Sequence, residues 1–194
     1  MSKKIVMGIG VICGALVFCG VVYALQLLSK EDAIKKVFGE SVTVVTENKV
    51  FTEQQISKIK ERLNSELERY PRGAKPKESE LQHSIDFYFA VKDNKKTGAA
   101  VIEEAPGKWG DVKFIIALDL QGTVTRVEVM EYQEKRGQPI ARHSFVGQFE
   151  GKTSKSPLQV NKDITGISGA TISSTCAAFA VKKAIILYEE LYLN

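Results

Sequence analysis

The chain has 194 residues, 44% of them hydrophobic and 26% charged, with 15 Gly and 5 Pro; this composition suits a globular domain and excludes collagen-like, low-complexity and wholly disordered classes. The formal net charge is +4, and setting aside Lys3 and Lys4 at the N-terminus leaves +2. No basic cluster is interleaved with aromatic residues, so nucleic-acid binding, which needs a concentrated basic face, is excluded too.

Residues 5–28 carry no charge, and Gln26 is their only strongly polar side chain. As a helix this run reaches about 36 Å against roughly 30 Å of hydrocarbon, which reads as a tilted membrane span. A cleaved signal peptide has a shorter apolar region and a small-residue cleavage site. A lipoprotein signal needs a small residue before the lipidated cysteine, whereas Phe18 precedes Cys19 and Ile12 precedes Cys13. Lys3 and Lys4 stand without acids on one side of the run, while Lys30, Lys35 and Lys36 are accompanied by Glu31 and Asp32 on the other. That bias and the short N-terminal side place Ser29 onward outside the cytoplasm, on a single-pass protein of the cell membrane. Cys13 and Cys19 fall in the span, which leaves Cys176 without an intramolecular disulfide partner, and His83 and His143 are the only imidazoles; a protein-held zinc or haem site is not expected.

Residues 31–39 fit a short helix stopping at Gly39, and residues 41–51 a strand or paired strands. Thr52 and Gln55 form a capping-box pattern before a helix over 52–70, in which Ile56, Ile59, Leu63 and Leu67 recur at helical spacing and which Pro71 ends. After a loop the period changes to two: Ile85, Phe87, Phe89 and Val91 alternate with Ser84, Asp86, Tyr88 and Ala90, as in a half-buried strand. Strands are also expected over 98–105, over 112–120 and, after the tight Gln121-Gly122 connection, over 123–132. Short turns between successive strands imply an antiparallel sheet. Residues 140–152 fit a short helix ending near Gly151, and residues 153–163 a solvated loop. The chain closes on a helix with an apolar stripe of Ala177, Val181, Ala184, Tyr188 and Leu191. The fold class is therefore α+β, an antiparallel sheet with segregated helices behind one N-terminal transmembrane helix. It divides into an anchor (1–29), a helix and strand segment (30–82) and a C-terminal domain (83–194).

Ser168, Gly169, Ala170, Thr171, Ile172, Ser173 and Ser174 stand where the last loop becomes the last helix. The first N–H groups of a helix have no intrahelical acceptors and carry partial positive charge, so phosphate is favoured there. Gly169 and Ala170 allow close backbone approach, and the hydroxyls add donors. On spacing alone, the commoner use of such a run is helix capping. The final glycine of a GxSxG elbow is missing after Ala170, and no Gly-Lys-Ser/Thr loop is present, so neither a hydrolase nor a nucleotidase is supported.

Four elements in order carry a resemblance: Gly122-x-Val124-x-x-Val127-x-Val129; Glu131-Tyr132-x-Glu134-x-x-Gly137; Phe145-x-x-Gln148-Phe149-x-Gly151-Lys152; and Ser168 to Ser174. Together, over roughly residues 83–192, they resemble the FMN-binding domain family, which includes flavin-carrying subunits of Rnf-type and sodium-pumping NADH:quinone oxidoreductase complexes and membrane flavoproteins that serve nitrous oxide reductase. The resemblance implies FMN esterified through its phosphate to Thr171 by a flavin transferase that uses FAD and Mg²⁺. It implies membrane redox subunits, quinol or cytochromes as partners, and an electron carrier rather than a self-sufficient enzyme, with no catalytic residue and no metal in this chain. Where the family pattern has Asp three residues before the motif this chain has Thr165, and the nearest acid is Asp163. The His-x-Glu-Thr-Pro-Gly segment of Rnf-type subunits is absent, and residues 132–139 resemble the nitrous-oxide branch better. Within the resemblance, Trp109 shields the flavin ring or anchors packing, and Glu131 and Glu134 hydrogen-bond ring N–H groups or hold their loop. Two other readings share these residues: non-covalent FMN binding, as in a small flavin reductase, and a surface binding module of the same fold without cofactor.

Overall fold

The computed structural model describes residues 25–67, 84–108, 110–133 and 138–194, with the side chains of 64–67 and 138 left aside. Leu25–Gln26 form β1, an edge strand. Ser29 then caps α1 (Lys30–Phe38), its hydroxyl accepting from the Asp32 N–H at 3.1 Å. β2 is a single strand, Thr43–Val50, and α2 (Glu53–Leu67) follows directly. The capping box forms as read: Gln55 N–H donates to Thr52 Oγ1 at 3.2 Å, and Thr52 N–H donates to Gln55 Oε1 at 3.0 Å.

β3 (Ser84–Lys92), β4 (Lys95–Pro106), β5 (Asp111–Leu118) and β6 (Val124–Tyr132) run as a meander. The sheet has six antiparallel strands in the order β1-β6-β5-β4-β3-β2. At the Gln121-Gly122 connection, the Asp119 carboxylate accepts from the Gln121 and Thr123 N–H groups at 2.9 and 2.8 Å. β2 pairs with β3 along its whole length, which makes 43–50 continuous with the sheet of the C-terminal part.

The sheet is covered on both faces. Phe87, Phe89, Val101, Phe114, Ile116 and Val129 pack in one cluster with Ile59 and Leu63 of α2 and with α4 (Thr171–Tyr192). Tyr88, Ala100, Ile115, Ala117 and Met130 pack on the other face around Ala33 of α1. β3 is thus buried on both sides rather than half-buried, because α1, remote in sequence, closes the face that alternation alone leaves to solvent. The expected stripe on α4 is also too narrow: Phe179, Ile186 and Leu187 are buried as well, since the helix lies between the sheet and α2. Arg62 joins the two helices through ion pairs to Glu189 and, at 2.8 Å, to Glu190. Among the described residues α4 alone is long and apolar enough to cross a membrane, and 72% of its apolar window is buried, as expected of a core helix.

The end of the expected span is corrected. Leu25 and Gln26 pair with Tyr132 and Glu131, and the N–H groups of Leu27 and Leu28 both donate to Met130 O at 2.8 and 3.1 Å. The last four residues of the apolar run are therefore held by β6, Leu25 and Gln26 as a strand and Leu27 and Leu28 through the Met130 carbonyl, because the β6 edge supplies backbone partners that they would otherwise lack. Residues 1–24 lie outside the described residues.

Candidate functional site

The described residues after β6 resume with a 3-10 turn (Gln138–Ala141), α3 (His143–Val146) and a second 3-10 turn (Gly147–Phe149). These short pieces stand where one helix was expected. Their last turn carries Gln148, whose Oε1 accepts from Thr165 N–H at 2.8 Å while its Nε2 donates to Thr165 O at 3.3 Å. This side-chain amide holds the segment that enters α4 as a paired strand would.

Asp163 organises the same segment. Its carboxylate accepts from the N–H groups of Leu158 and Gln159 at 3.2 and 2.8 Å and from Lys152 Nζ at 2.9 Å. Burial pushes the carboxyl up, but the Gln159 N–H, the Lys152 ammonium and the Leu158 N–H together outweigh it and hold the group below its ordinary value of 3.8. An acid depressed in this way contributes stability above the ordinary carboxylate range, and that stability is lost as pH falls through the folded-state value. Asp163→Ala leaves two N–H groups and an ammonium without their shared acceptor. Urea titration is expected to show a loss of about 2–4 kcal/mol at pH 7, shrinking in strong acid.

The chain then passes Gly166, where a Cβ would meet Val160 Cγ1 at 2.7 Å, and Gly169, at φ +74° with open space around it. Only glycine adopts that backbone without cost. It turns the chain into α4 at Ala170, the N-cap residue, which makes no side-chain capping hydrogen bond. The hydroxyls nearby are engaged elsewhere in part: Ser174 Oγ accepts from Ile167 N–H and donates to Ala170 O, both at 3.0 Å, and Thr175 Oγ1 donates to Thr171 O at 3.0 Å. Ser173 is buried with Ser174, Ile172 is half-buried, and Ser168, Gly169 and Thr171 are exposed. A 22-residue helix thus begins with an alanine where a serine or aspartate would ordinarily satisfy the first N–H groups. An exposed threonine hydroxyl stands at its first position. Capping, the commoner use of such a run, is not what these hydroxyls do, and the geometry fits a phosphate.

Glu131 stands apart. It faces the α1 side of the sheet, in a ladder where Lys113 Nζ meets Glu104 at 2.8 Å and Glu131 at 3.7 Å. The Glu104 carboxylate above all, with help from Glu131, raises the Lys113 ammonium above its ordinary value. The sheet lies between Glu131 and α4. Trp109, Glu134, Lys135 and Arg136 are outside the described residues, although their neighbours Gly110 and Gln133 meet: a Cβ on Gly110 would lie 2.3 Å from Gln133 Oε1. Cys176 is buried and donates to Ala105 O at 3.1 Å, which ties the first turns of α4 to the end of β4.

Residues 107–186 match the FMN-binding domain family. The chain is 32% identical over 120 residues to a subunit of the ion-translocating oxidoreductase complex of Aliivibrio fischeri (strain MJ11), covering 56% of this chain and 57% of that protein. It is 30% identical over 107 residues to a subunit of the proton-translocating ferredoxin:NAD(+) oxidoreductase complex of Clostridium ljungdahlii, covering 52% and 58%. The chain thus spans a little over half the length of these curated relatives. The crystal structure of Shewanella oneidensis NqrC aligns with a TM-score of 0.47 at 16% identity, over 76% of this chain and 80% of that one. Both of these relatives are subunits of ion-translocating complexes. The matched span lies inside the expected 83–192 and ends within α4: residues 107–186 of this chain are similar to the FMN-binding domain family.

Proposed function

We propose that this chain is a membrane-anchored, extracytoplasmic electron carrier that holds FMN as a phosphoester on Thr171. The observation that carries the reading is the start of α4: an exposed threonine at the first helical position, behind an alanine that leaves the helix end uncapped. In the attachment step, Thr171 Oγ1 forms a bond to the FMN-side phosphorus of FAD. The pyrophosphate P–O bond breaks, AMP leaves, and the hydroxyl proton passes to a base of the Mg²⁺-dependent flavin transferase. The resulting diester keeps one negative charge, which the first-turn N–H groups and the helix macrodipole stabilise. Ser168 adds an exposed hydroxyl beside it, while Ser174 and Gln148 hold the entering loop in place. Bound FMN supplies the one- and two-electron redox chemistry, and the protein supplies placement.

Asp163 does not offer its carboxylate to a transferase, because both oxygens already accept from the chain's own donors; recognition would rest on the backbone shape that Gln148 gives Thr165. The anchor is the run 5–24, shortened by the residues in β1, and its length as a helix is about 30 Å, enough to span hydrocarbon. Membrane redox subunits, quinol or cytochromes are the proposed partners.

Expression of the full chain beside a flavin transferase tests this reading. Colour that stays with the polypeptide after denaturation supports it. Colour released by denaturant means reversible binding, and colourless protein means a module without cofactor. A companion variant separates site from fold. Ala170→Asp sets a carboxylate against the phosphate position, so covalent flavin is expected to fall roughly tenfold, equivalent to about 1.4 kcal/mol; because Ala170 is buried, the melting temperature distinguishes this loss from a loss of fold. In-gel flavin fluorescence and a thermal scan read the two effects.

A further inference from the structure

β1 carries an inference beyond the flavin site. It is antiparallel to β6, with Leu25 opposite Tyr132 and Gln26 opposite Glu131, so the chain before Leu25 leaves past the C-terminal end of β6. At that same end β4 finishes and β5 begins, Pro106 facing Asp111, and Gly110 packs on Gln133. The Cys176 hydrogen bond to Ala105 O brings α4 to this end, and Thr171 lies about 7.5 Å further along the helix axis. The turn at Asp93 and Asn94 and the turn over 119–123 are at the opposite end, where Tyr188 Oη donates to Leu120 O at 3.3 Å. The point where the chain enters the domain and the candidate site therefore share one end of the sheet. Three strand spacings, about 14 Å, separate β1 from β4.

No spacer separates the uncharged run 5–24 from the sheet. β6 gains one residue at Met130, because Phe114 pairs with Val129 and Lys113 with Glu131. The Met130 carbonyl takes both the Leu27 and Leu28 N–H groups, Leu28 packs into the cluster of Ala33 and Met130, and Ser29 begins α1. Every residue from 25 to 29 is thus fixed to the domain. Leu25, on the edge strand, and Leu27, just after it, are nonetheless 50% and 40% exposed, at a sheet edge where soluble proteins usually place charge.

We infer that β1 is a strap at the lipid interface: Leu25 and Leu27 sit in the bilayer surface, and their rigid pairing to β6 holds the domain with the Thr171 end toward the membrane. The occupant of this apolar edge is lipid, because the uncharged run that precedes it ends at Leu25. The inference rests on the proposed anchor but not on the flavin. Such a strap limits the swivel of the domain, so that an electron partner would lie at or in the membrane surface rather than free in solution.

The test uses the full chain in phosphatidylcholine vesicles, with Cys13 and Cys19 changed to Ala and Cys176 kept because it is buried against β4. A polarity-sensitive fluorophore is placed on Leu27→Cys or on Asn94→Cys at the far end. Brominated acyl chains are expected to remove about half the emission at position 27, since interfacial groups lie within ~5–10 Å of the headgroup and acyl boundary; position 94 should respond only to aqueous iodide. In a second arm, a flexible Gly-Ser insert between Ala24 and Leu25 should leave flotation with vesicles intact and lower the lipid quenching at 27. If position 27 is as open to iodide as position 94 while the chain still floats, or if the insert changes nothing, the strap is wrong and the anchor stands. If the chain does not float, the anchor and the strap fall together, whatever the flavin does.

Discussion

Thr171→Val is expected to abolish covalent flavin while leaving the fold untouched. The Thr171 side chain is exposed, and it is the Thr171 carbonyl, not its hydroxyl, that takes part in the back-bond from Thr175. Valine keeps the β-branched shape and removes only the oxygen that would carry phosphorus, so the change in stability should stay within about 0.5 kcal/mol, as for ordinary surface substitutions. Thr171→Ser keeps an oxygen at the same place and should retain an adduct. Intact mass and in-gel fluorescence on the three proteins check this, with a thermal scan as the folding control. Covalent flavin on the valine variant, or its loss from the serine variant with normal melting, would move the attachment point elsewhere.

The largest expected effect on stability lies beneath α4, on the sheet face that this helix covers. Glu103 is 3% exposed, and its Oε2 accepts from Lys183 Nζ at 2.6 Å, while its Oε1 is buried without a hydrogen-bond partner. Burial pushes the Glu103 carboxyl up; the Lys183 ammonium opposes this only in part, and Glu104 adds to the rise. Removing one partner of a buried pair strands the other, so Lys183→Met should cost about 3–5 kcal/mol at pH 7. For an acid whose folded-state value is raised, the stabilising contribution is complete below the unfolded value and is lost as pH rises through the folded one. The variant should therefore recover stability as pH is lowered from 7 and the carboxyl takes up its proton. Adding Glu103→Leu should bring stability back to within about 1 kcal/mol of the parent, because hydrophobic replacement of a whole buried pair is close to neutral or better. Urea midpoints of the single and double variants from pH 7 downward decide it. A single variant with an unchanged midpoint would mean that Glu103 reaches water.

The two carboxylates of Glu103-Glu104 show why part of the molecule was not readable from the chain. They are adjacent and identical, yet Glu104 faces Lys113 with its side chain half in solvent and Glu103 faces the core. Strand register decides which is which, and register depends on β3 and β5. The same holds for Tyr88: alternation marked it as the polar side, and only the arrival of Ala33 on α1 buries it. Leu25 to Leu28 continue an apolar run without a break, so nothing local announces a strand; its cause is the open edge of β6. Signals confined to a few residues were legible, because their physics is local: the Thr52–Gln55 box, the end of α1 at Gly39 and the turn around Asp119 all form as their sequences dictate. The candidate site lies between these extremes. Its loop-to-helix position was legible in residues 168–174, but whether the hydroxyls cap the helix depended on Ser174 turning back to Ile167 and Ala170. The roles of Gln148 and Asp163 depend on contacts across the entering loop that spacing does not specify.

The decisive measurement is to digest the protein made with a flavin transferase and to sequence the flavin-bearing peptide by mass spectrometry. One yellow peptide is predicted, spanning the start of α4, with the mass of the FMN phosphoester localised on Thr171. Flavin on a different peptide, or a peptide covering Thr171 that is wholly unmodified in protein that is yellow, would contradict the account.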